Sequence, residues 1–172
     1  IAHAPIRNRG TVCGSIAHAD PSAELPLCLL ALGGEVILRN RKGRRVVAAE
    51  DFFQGMFQTV REPDELIEAV RYPLADADCR YGFTEFSNRH VDFALTAVAV
   101  MIGPNSIRLA IGGVSDRPRL KILPLLNGSD LEIAINDVAW ELGARDDHHA
   151  TATFRRQLVR HLARDVIEKA MA

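Results

Sequence analysis

The chain has 172 residues, 48% of them hydrophobic and 25% charged, with 21 Lys and Arg against 22 Asp and Glu for a formal charge of -1. This composition excludes collagen-like, disordered and disulfide-scaffold chains, and the balanced charge gives no general attraction to nucleic acid, whose binding is built on phosphate neutralisation. The longest strongly apolar stretch, residues 25–32, is far short of the roughly 20 residues that span a bilayer, so no membrane span is expected.

The first stretch, residues 6–15, reads as a tight, irregular polar turn with Arg7, Asn8, Arg9 and Gly10 followed by Thr-Val-Cys-Gly-Ser. Asp20-Pro21 then offers a side-chain cap and a preformed first turn, so a short buried helix is predicted over 21–32, bent at Pro26 and stopped by Gly33-Gly34. Beyond Gly34 the pattern alternates: Val36, Ile37 and Leu38 pair with Val46 and Val47 across the turn 40–43, predicting a β-hairpin. Residues 51–53 suggest a short connecting helix, 65–72 a strand ended by Pro73, and the polar stretch 75–80 a boundary between units. After it come Tyr81, Phe83 and Phe86, a charged turn over 88–92, an apolar strand over 94–102 and a partner strand over 106–111. Two amphipathic helices close the chain, over 131–142 and 150–171, the second with its apolar face on Phe154, Leu158, His161, Leu162, Asp165 and Val166. The fold class is therefore α+β.

Candidate chemistry concentrates near the start. Small and hydroxyl residues around Gly14 expose backbone N–H groups and let a polar ligand approach the main chain, which is the chemistry of a nucleotide cradle. Spacing alone is equally that of a Gly-Ser turn before a capped helix. The longer run IRNRGTVCGSIAHADPSAELP settles more. It resembles the second FAD-binding signature of the flavoprotein (medium) subunits of molybdenum hydroxylases, the carbon monoxide dehydrogenase and xanthine dehydrogenase family, usually written IRN-x-GT(V/I)GGN/S followed by ADP-x-(A/S)(D/E)LP. The likeness continues through DFF-x-G at 51–55, DEL-I at 64–67, the stretch 81–94 and Ile111-Gly112-Gly113.

The resemblance implies a fold in two parts: a second FAD-binding subdomain over 1–76, with mixed or antiparallel sheet and short helices, and a C-terminal domain over 77–172 built from an antiparallel β-meander and helices. It implies that Thr11, Val12, Cys13, Gly14 and Ser15 face the phosphate and ribityl groups of FAD, that Glu24 helps hold the flavin and that Ile67 packs near its rings. It implies that Phe93, with Asp92 beside it, covers the isoalloxazine and controls access of acceptors; the alternative for Phe93 is a core side chain at a strand start. Three departures from the family pattern stand out. Cys13 replaces the first Gly of the usual pair, where a positive φ would cost a non-Gly residue about 1 kcal/mol. Val91 replaces the Gly before Asp92, and Thr84 and Glu85 stand where a lysine is frequent. The family's first Gly-rich pyrophosphate loop has no counterpart after Ile1.

Other groupings read as structural. Ser15, His18 and Asp20 lie too close in sequence for a relay; His148, His149, Asp146 and Asp147 read as an exposed linker, with no metal site expected. The basic run 39–45 reads as a solvated hairpin tip, and Arg155, Arg156, Arg160 and Arg164 as a solvated helix face. Cys13, Cys28 and Cys79 are odd in number and lack C-x-x-C spacing, so no disulfide framework, zinc or iron–sulfur site is expected and a reducing, cytoplasmic compartment fits. A start at Ile1 without a leader pattern is expected of a processed chain or of a piece of a longer one.

The resemblance implies an FAD-binding electron-transfer subunit with no catalytic residue of its own. Its partners would be a small subunit with two [2Fe–2S] clusters and a large molybdopterin subunit that hydroxylates the substrate, with NAD+ or another molecule accepting electrons. The alternative is a structural or subunit-docking module that binds no flavin.

Overall fold

Helices open and close the chain, and antiparallel sheets lie between them. The structure, a computed structural model, describes residues 1–89 and 92–172. The departure at Val91 lies outside the described residues.

The first part begins with α1 (Ala4–Arg7), α2 (Val12–His18) and α3 (Glu24–Ala31). The predicted turn over 6–15 is thus more than half helix: α1 ends at Arg7 with Asn8 as its C-cap, and Thr11 caps α2. The third helix starts later than its spacing suggests. Asp20 Oδ1 accepts the N–H of Ser22 at 2.8 Å and so is spent on a turn, leaving Ala23 as the N-cap. Pro26 then sits in the first turn, where its missing N–H is unneeded and no bend results. Gly33 (φ 67°) ends the helix with its N–H on Leu30 O and that of Gly34 on Leu29 O.

Next come β1 (Glu35–Asn40) and β2 (Gly43–Ala48), the expected hairpin, with Asn40 Oδ1 accepting from the Lys42 and Gly43 N–H groups. They are followed by α4 (Ala49–Phe52), the two-stranded pair β3 (Phe53–Gly55) and β4 (Gln58–Thr59), and β5 (Leu66–Arg71), which joins β1 to give the order β2-β1-β5. The β3–β4 pair was not foreseen; two and three residues are too few to show a period. Ile16, Leu29, Val36, Leu38 and Phe52 form the core of this part.

Pairing of β1 with β5 shifts between Ile37 and Leu38, so that Glu68 is an extra residue on β5. The bulge lets both Ile67 and Val70 reach the core and turns Glu68 outward between Arg39 (3.0 Å) and Arg44 (2.6 Å). Arg45 makes a two-pronged pair with Glu65, at 2.6 and 2.7 Å. The basic run 39–45 is therefore partly matched by acids from β5 and the turn before it, not merely solvated. Glu65 is 5% exposed, and the Arg45 guanidinium, with the N–H of Glu62, holds its carboxyl at about 2 against an ordinary 4.5. A folded value below the unfolded one contributes stability that is complete above about pH 4.5 and lost as pH falls toward 2. Half of Arg45 faces water, so the contribution expected is about 2 kcal/mol. Urea unfolding from pH 6 down to pH 2 should show that much less acid sensitivity in Glu65→Gln than in the parent.

The second sheet is the meander β6 (Arg80–Ser87), β7 (Ala94–Ile102), β8 (Ser106–Gly112) and β9 (Arg119–Pro124), all antiparallel. The sequence reading omitted β9, an edge strand of mixed exposure flanked by Arg and Pro. One face of this sheet packs on α5 (Gly128–Glu141) and α6 (Ala152–Met171), burying Val98, Val100, Leu109, Ile135 and Val159. The buried face of α6 is Ala152, Arg155, Val159, Ala163, Val166 and Ile167, one position round from the predicted stripe; Phe154 and His161 are exposed. Small residues decide this: a Cβ on Gly82 would meet Val166 at 2.6 Å, so the helix approaches β6 closely only where side chains are short. The opposite face of the sheet is nearly all alanine and receives Leu27 and Ala31 of α3. Arg108 of β8 reinforces that contact, donating to Leu30 O and Ala31 O at the end of α3 and pairing with Glu50 at 2.8 Å.

Candidate functional site

Thr11 has extended backbone (φ −129°, ψ 156°), and its Oγ1 accepts the Gly14 N–H at 2.9 Å, making it the N-cap of α2. Val12, Cys13, Gly14 and Ser15 are consequently the first helical turn. A Cβ on Gly14 would stand 2.8 Å from that hydroxyl, so the cap needs the bare Cα. The N–H groups of Val12 and Cys13 have no acceptor within the helix, and the turn is largely exposed, Val12 at 46%. Free N–H groups at the positive end of a helix suit an anionic group such as a phosphate; on that ground the residues present fit FAD. Cys13 is helical and is not among the positive-φ residues, so the backbone penalty expected there does not arise.

Glu24 opens α3, half-buried, 3.4 Å from the Ile1 ammonium. One turn on, the Cys28 thiol is pushed up by burial and then by the Glu24 and Glu85 carboxylates, which keeps it a neutral, unreactive thiol. Glu85 of β6 is itself raised, by burial first and Glu24 second. Tyr72 donates its hydroxyl to Leu25 O at 3.1 Å and is pushed up to about 12, again mainly by burial, with the Cys28 and Cys13 sulfurs adding to it. The folded chain thus draws Cys13, Glu24, Cys28, Tyr72 and Glu85 into one neighbourhood from α2, α3, the end of β5 and β6. An apolar cleft of about 450 Å3 between α3 and β6, with Cys28, Leu32, Pro73, Tyr81 and Phe83 on its walls, adjoins it.

Three nominated residues, Ile67, Asp92 and Phe93, have other surroundings. Ile67 packs half-buried on the core that holds Ile16 of α2, and lines a cleft at the hairpin end with Arg39, Arg41 and Asp64. Asp92 and Phe93 lead into β7; Asp92 Oδ1 accepts the Phe93 N–H at 2.8 Å, and the Phe93 ring is 62% exposed. Phe93 is not a core side chain at a strand start, since the core residue there is Ala94.

The remaining groupings resolve into structure. His18 stacks on Phe57 at 4.8 Å while Asp20 is held in its turn, so no relay with Ser15 forms. Asp146 accepts from Ala152 N–H at the start of α6, and Asp147 from His149, Ala150 and Arg155. No cluster able to hold a metal is found among the described residues. Arg155, read from sequence as solvated, is 2% exposed. Its spacing of four and eight from Val159 and Ala163 was the available signal.

Residues 1–75 match the family described as the FAD binding domain in molybdopterin dehydrogenase. The nicotine 6-hydroxylase medium subunit of Paenarthrobacter nicotinovorans is 38% identical over 186 residues, a match covering 100% of this chain and 64% of that protein. The chain belongs to the FAD-binding medium-subunit family of the molybdenum hydroxylases. A second member of the medium-subunit family, the glyceraldehyde dehydrogenase medium chain of Sulfolobus acidocaldarius, is 32% identical, with 91% of this chain and 60% of that protein covered. Among solved structures, reconstituted CO dehydrogenase from Oligotropha carboxidovorans superposes with a TM-score of 0.91 at 26% identity, over 99% of this chain and 64% of that one. Quinoline 2-oxidoreductase from Pseudomonas putida 86 superposes with a TM-score of 0.88 at 30% identity, over 99% and 63%. Family members are subunits of molybdenum-containing oxidoreductases, and FAD is the cofactor of the matched domain. The chain spans less than two thirds of the length of these medium subunits. No helix among the described residues is long and apolar enough to cross a membrane.

Proposed function

We propose that the chain supplies one side of an FAD site in the electron-transfer subunit of a molybdenum hydroxylase, with residues 1–76 as the cofactor-holding unit and 77–172 as the C-terminal unit. The observation that carries this is the Thr11-capped first turn of α2, with the Val12 and Cys13 N–H groups free to bind a phosphate. Gly14 lets the Thr11 hydroxyl close the turn, Ser15 adds a hydroxyl donor, and Glu24 opens the neighbouring helix beside it. Ile67 gives an apolar contact for the ring system. Phe93, exposed at the entrance to β7 with its N–H held by Asp92, screens the reactive edge. Bound FAD supplies the exchange between electrons arriving singly from [2Fe–2S] clusters and an acceptor such as NAD+. The clusters belong to a small subunit and the molybdopterin to a large one, in the cytoplasm, where three free thiols are stable. Substrate hydroxylation needs no residue of this chain.

The second reading is a docking module that binds no flavin. Titration with FAD, followed by flavin fluorescence, separates the two. Binding is expected in the parent and about five- to tenfold weaker in Thr11→Val, which deletes a cap worth about 1 kcal/mol. In the assembled complex, Phe93→Ala should change the rate of flavin reoxidation and leave substrate hydroxylation intact. A parent chain that takes up no added FAD would leave the docking module as the answer.

A further inference from the structure

Two of the nominated flavin contacts, Glu24 and Phe93, come from places far apart in sequence, the turn leading into Glu24 and the Asp92-Phe93 entrance to β7, and something must hold them in register. The join between them is Gly112-Gly113 at the end of β8. The Gly113 N–H donates to Pro21 O at 2.7 Å, and a Cβ on Gly112 would meet the same oxygen at 3.1 Å. On its other side Gly113 packs against the backbone that follows Phe93, since a Cβ there would lie 2.8 Å from Ala94 O and 2.9 Å from Leu95 O.

Arg155 closes this join from beneath. One terminal nitrogen of its guanidinium donates to Leu95 O at 2.6 Å and to Gly113 O at 2.7 Å, and the other pairs with Asp147 at 2.7 Å. The two carbonyls belong to different strands, β7 and the end of β8, so one side chain ties both to α6. Asp147 is in turn fixed by the N–H groups of His149 and Ala150. A buried guanidinium is expensive to desolvate, and an aliphatic side chain would fill the same face of α6 at no such cost. Its geometry suits orientation more than bulk stability: the planar fork fixes the two carbonyls on one terminal nitrogen relative to Asp147 on the other, which the single nitrogen of a lysine cannot do.

We propose that Arg155, held by Asp147, is a positioning residue that registers the Pro21–Glu24 turn against the Asp92-Phe93 entrance, and thereby sets the geometry of the flavin-facing surface; its consequence for FAD rests on the flavin reading above. It touches no cofactor itself. It acts through Gly113, whose N–H it aims at Pro21.

The test compares Arg155→Lys with Val159→Ala, a variant on the same buried face of α6 that removes core packing and none of the clamp's bonds. Amide exchange read by NMR on the chain is expected to rise about tenfold more at Gly113 than at Leu109 in Arg155→Lys, the loss of one charge-assisted bond expressed as opening. In Val159→Ala both amides should change together, in step with global stability. If Gly113 and Leu109 change together in both variants, Arg155 is only a packing residue and the proposal falls. Should Arg155→Lys not fold, Asp147→Asn, which loosens the guanidinium without removing it, is read in the same way. The FAD arm is separate: where the parent binds FAD, Arg155→Lys should bind about tenfold more weakly and Val159→Ala within about twofold of the parent. Equal affinity in Arg155→Lys with raised Gly113 exchange would overturn the link to the cofactor. A parent that binds no FAD would overturn the flavin reading, while the exchange result still decides the clamp.

Discussion

Leu27→Ala is expected to lose about 3 to 4 kcal/mol of stability, at the high end for a buried leucine. Leu27 is fully buried where α3 meets the second sheet, and its neighbours there, Ala31, Ala94, Ala97, Ala99 and Ala110, are all small. Strand backbones behind alanines cannot move in to fill a hole, so most of the cavity persists and the surrounding contacts are simply lost. Because α3 also carries Glu24 and Cys28, loosening it should expose the thiol that burial and two carboxylates now keep protonated. Urea unfolding would measure the stability, and the rate of Cys28 alkylation at pH 8 the local effect, with faster labelling expected in the variant. A loss below about 1 kcal/mol would mean that α3 does not depend on the sheet for its place.

Gly113→Ala is expected to cost about 3 kcal/mol. A φ of 78° already costs an L-residue roughly 1 to 2 kcal/mol, and here the added Cβ would also press on two backbone oxygens, at 2.8 and 2.9 Å, that cannot rotate away. For a chain of this size the melting temperature should fall by about 6 to 12 °C. Gly143, at φ 64° with open space around it, provides the comparison, since alanine there adds no contact. Equal losses at the two sites would mean that backbone conformation alone, not the crowding at the join, sets the cost.

Elements with a strong local period were legible. The hairpin 36–47 and the two closing helices follow from alternation, turn residues and helical spacing, because each buries one face, and the strand over 94–102 follows from an unbroken apolar run that is buried on both faces. Where the signals misled, a side chain was engaged elsewhere. Asp20 looked like a helix cap and is a turn acceptor; the stretch 6–15 looked irregular and holds the start of α2; Arg155 looked solvated and is buried on three acceptors. For Asp20 and Thr11 the deciding partner is two or three residues away, where a turn and a cap compete for the same side chain; for Arg155 the partners lie 42 and 60 residues away.

The candidate site divides in the same manner. Its first turn was readable because Thr11, Gly14 and Ser15 are neighbours and the signature around them is long and specific. The grouping of Cys13, Glu24, Cys28, Tyr72 and Glu85 was not readable, since it depends on α3 crossing the alanine face of the second sheet and on β5 ending beside it. By itself the sequence determined the family, the α+β class, the hairpin and meander, and the residues of the α2 turn, all matters of local pattern. Only the tertiary structure decided which face of α6 is buried and that Phe93 is exposed while Arg155 is not. Those depend on how closely helices can approach the sheet at Gly82, Ala163 and Gly113, a question of contact between distant residues that no local period encodes.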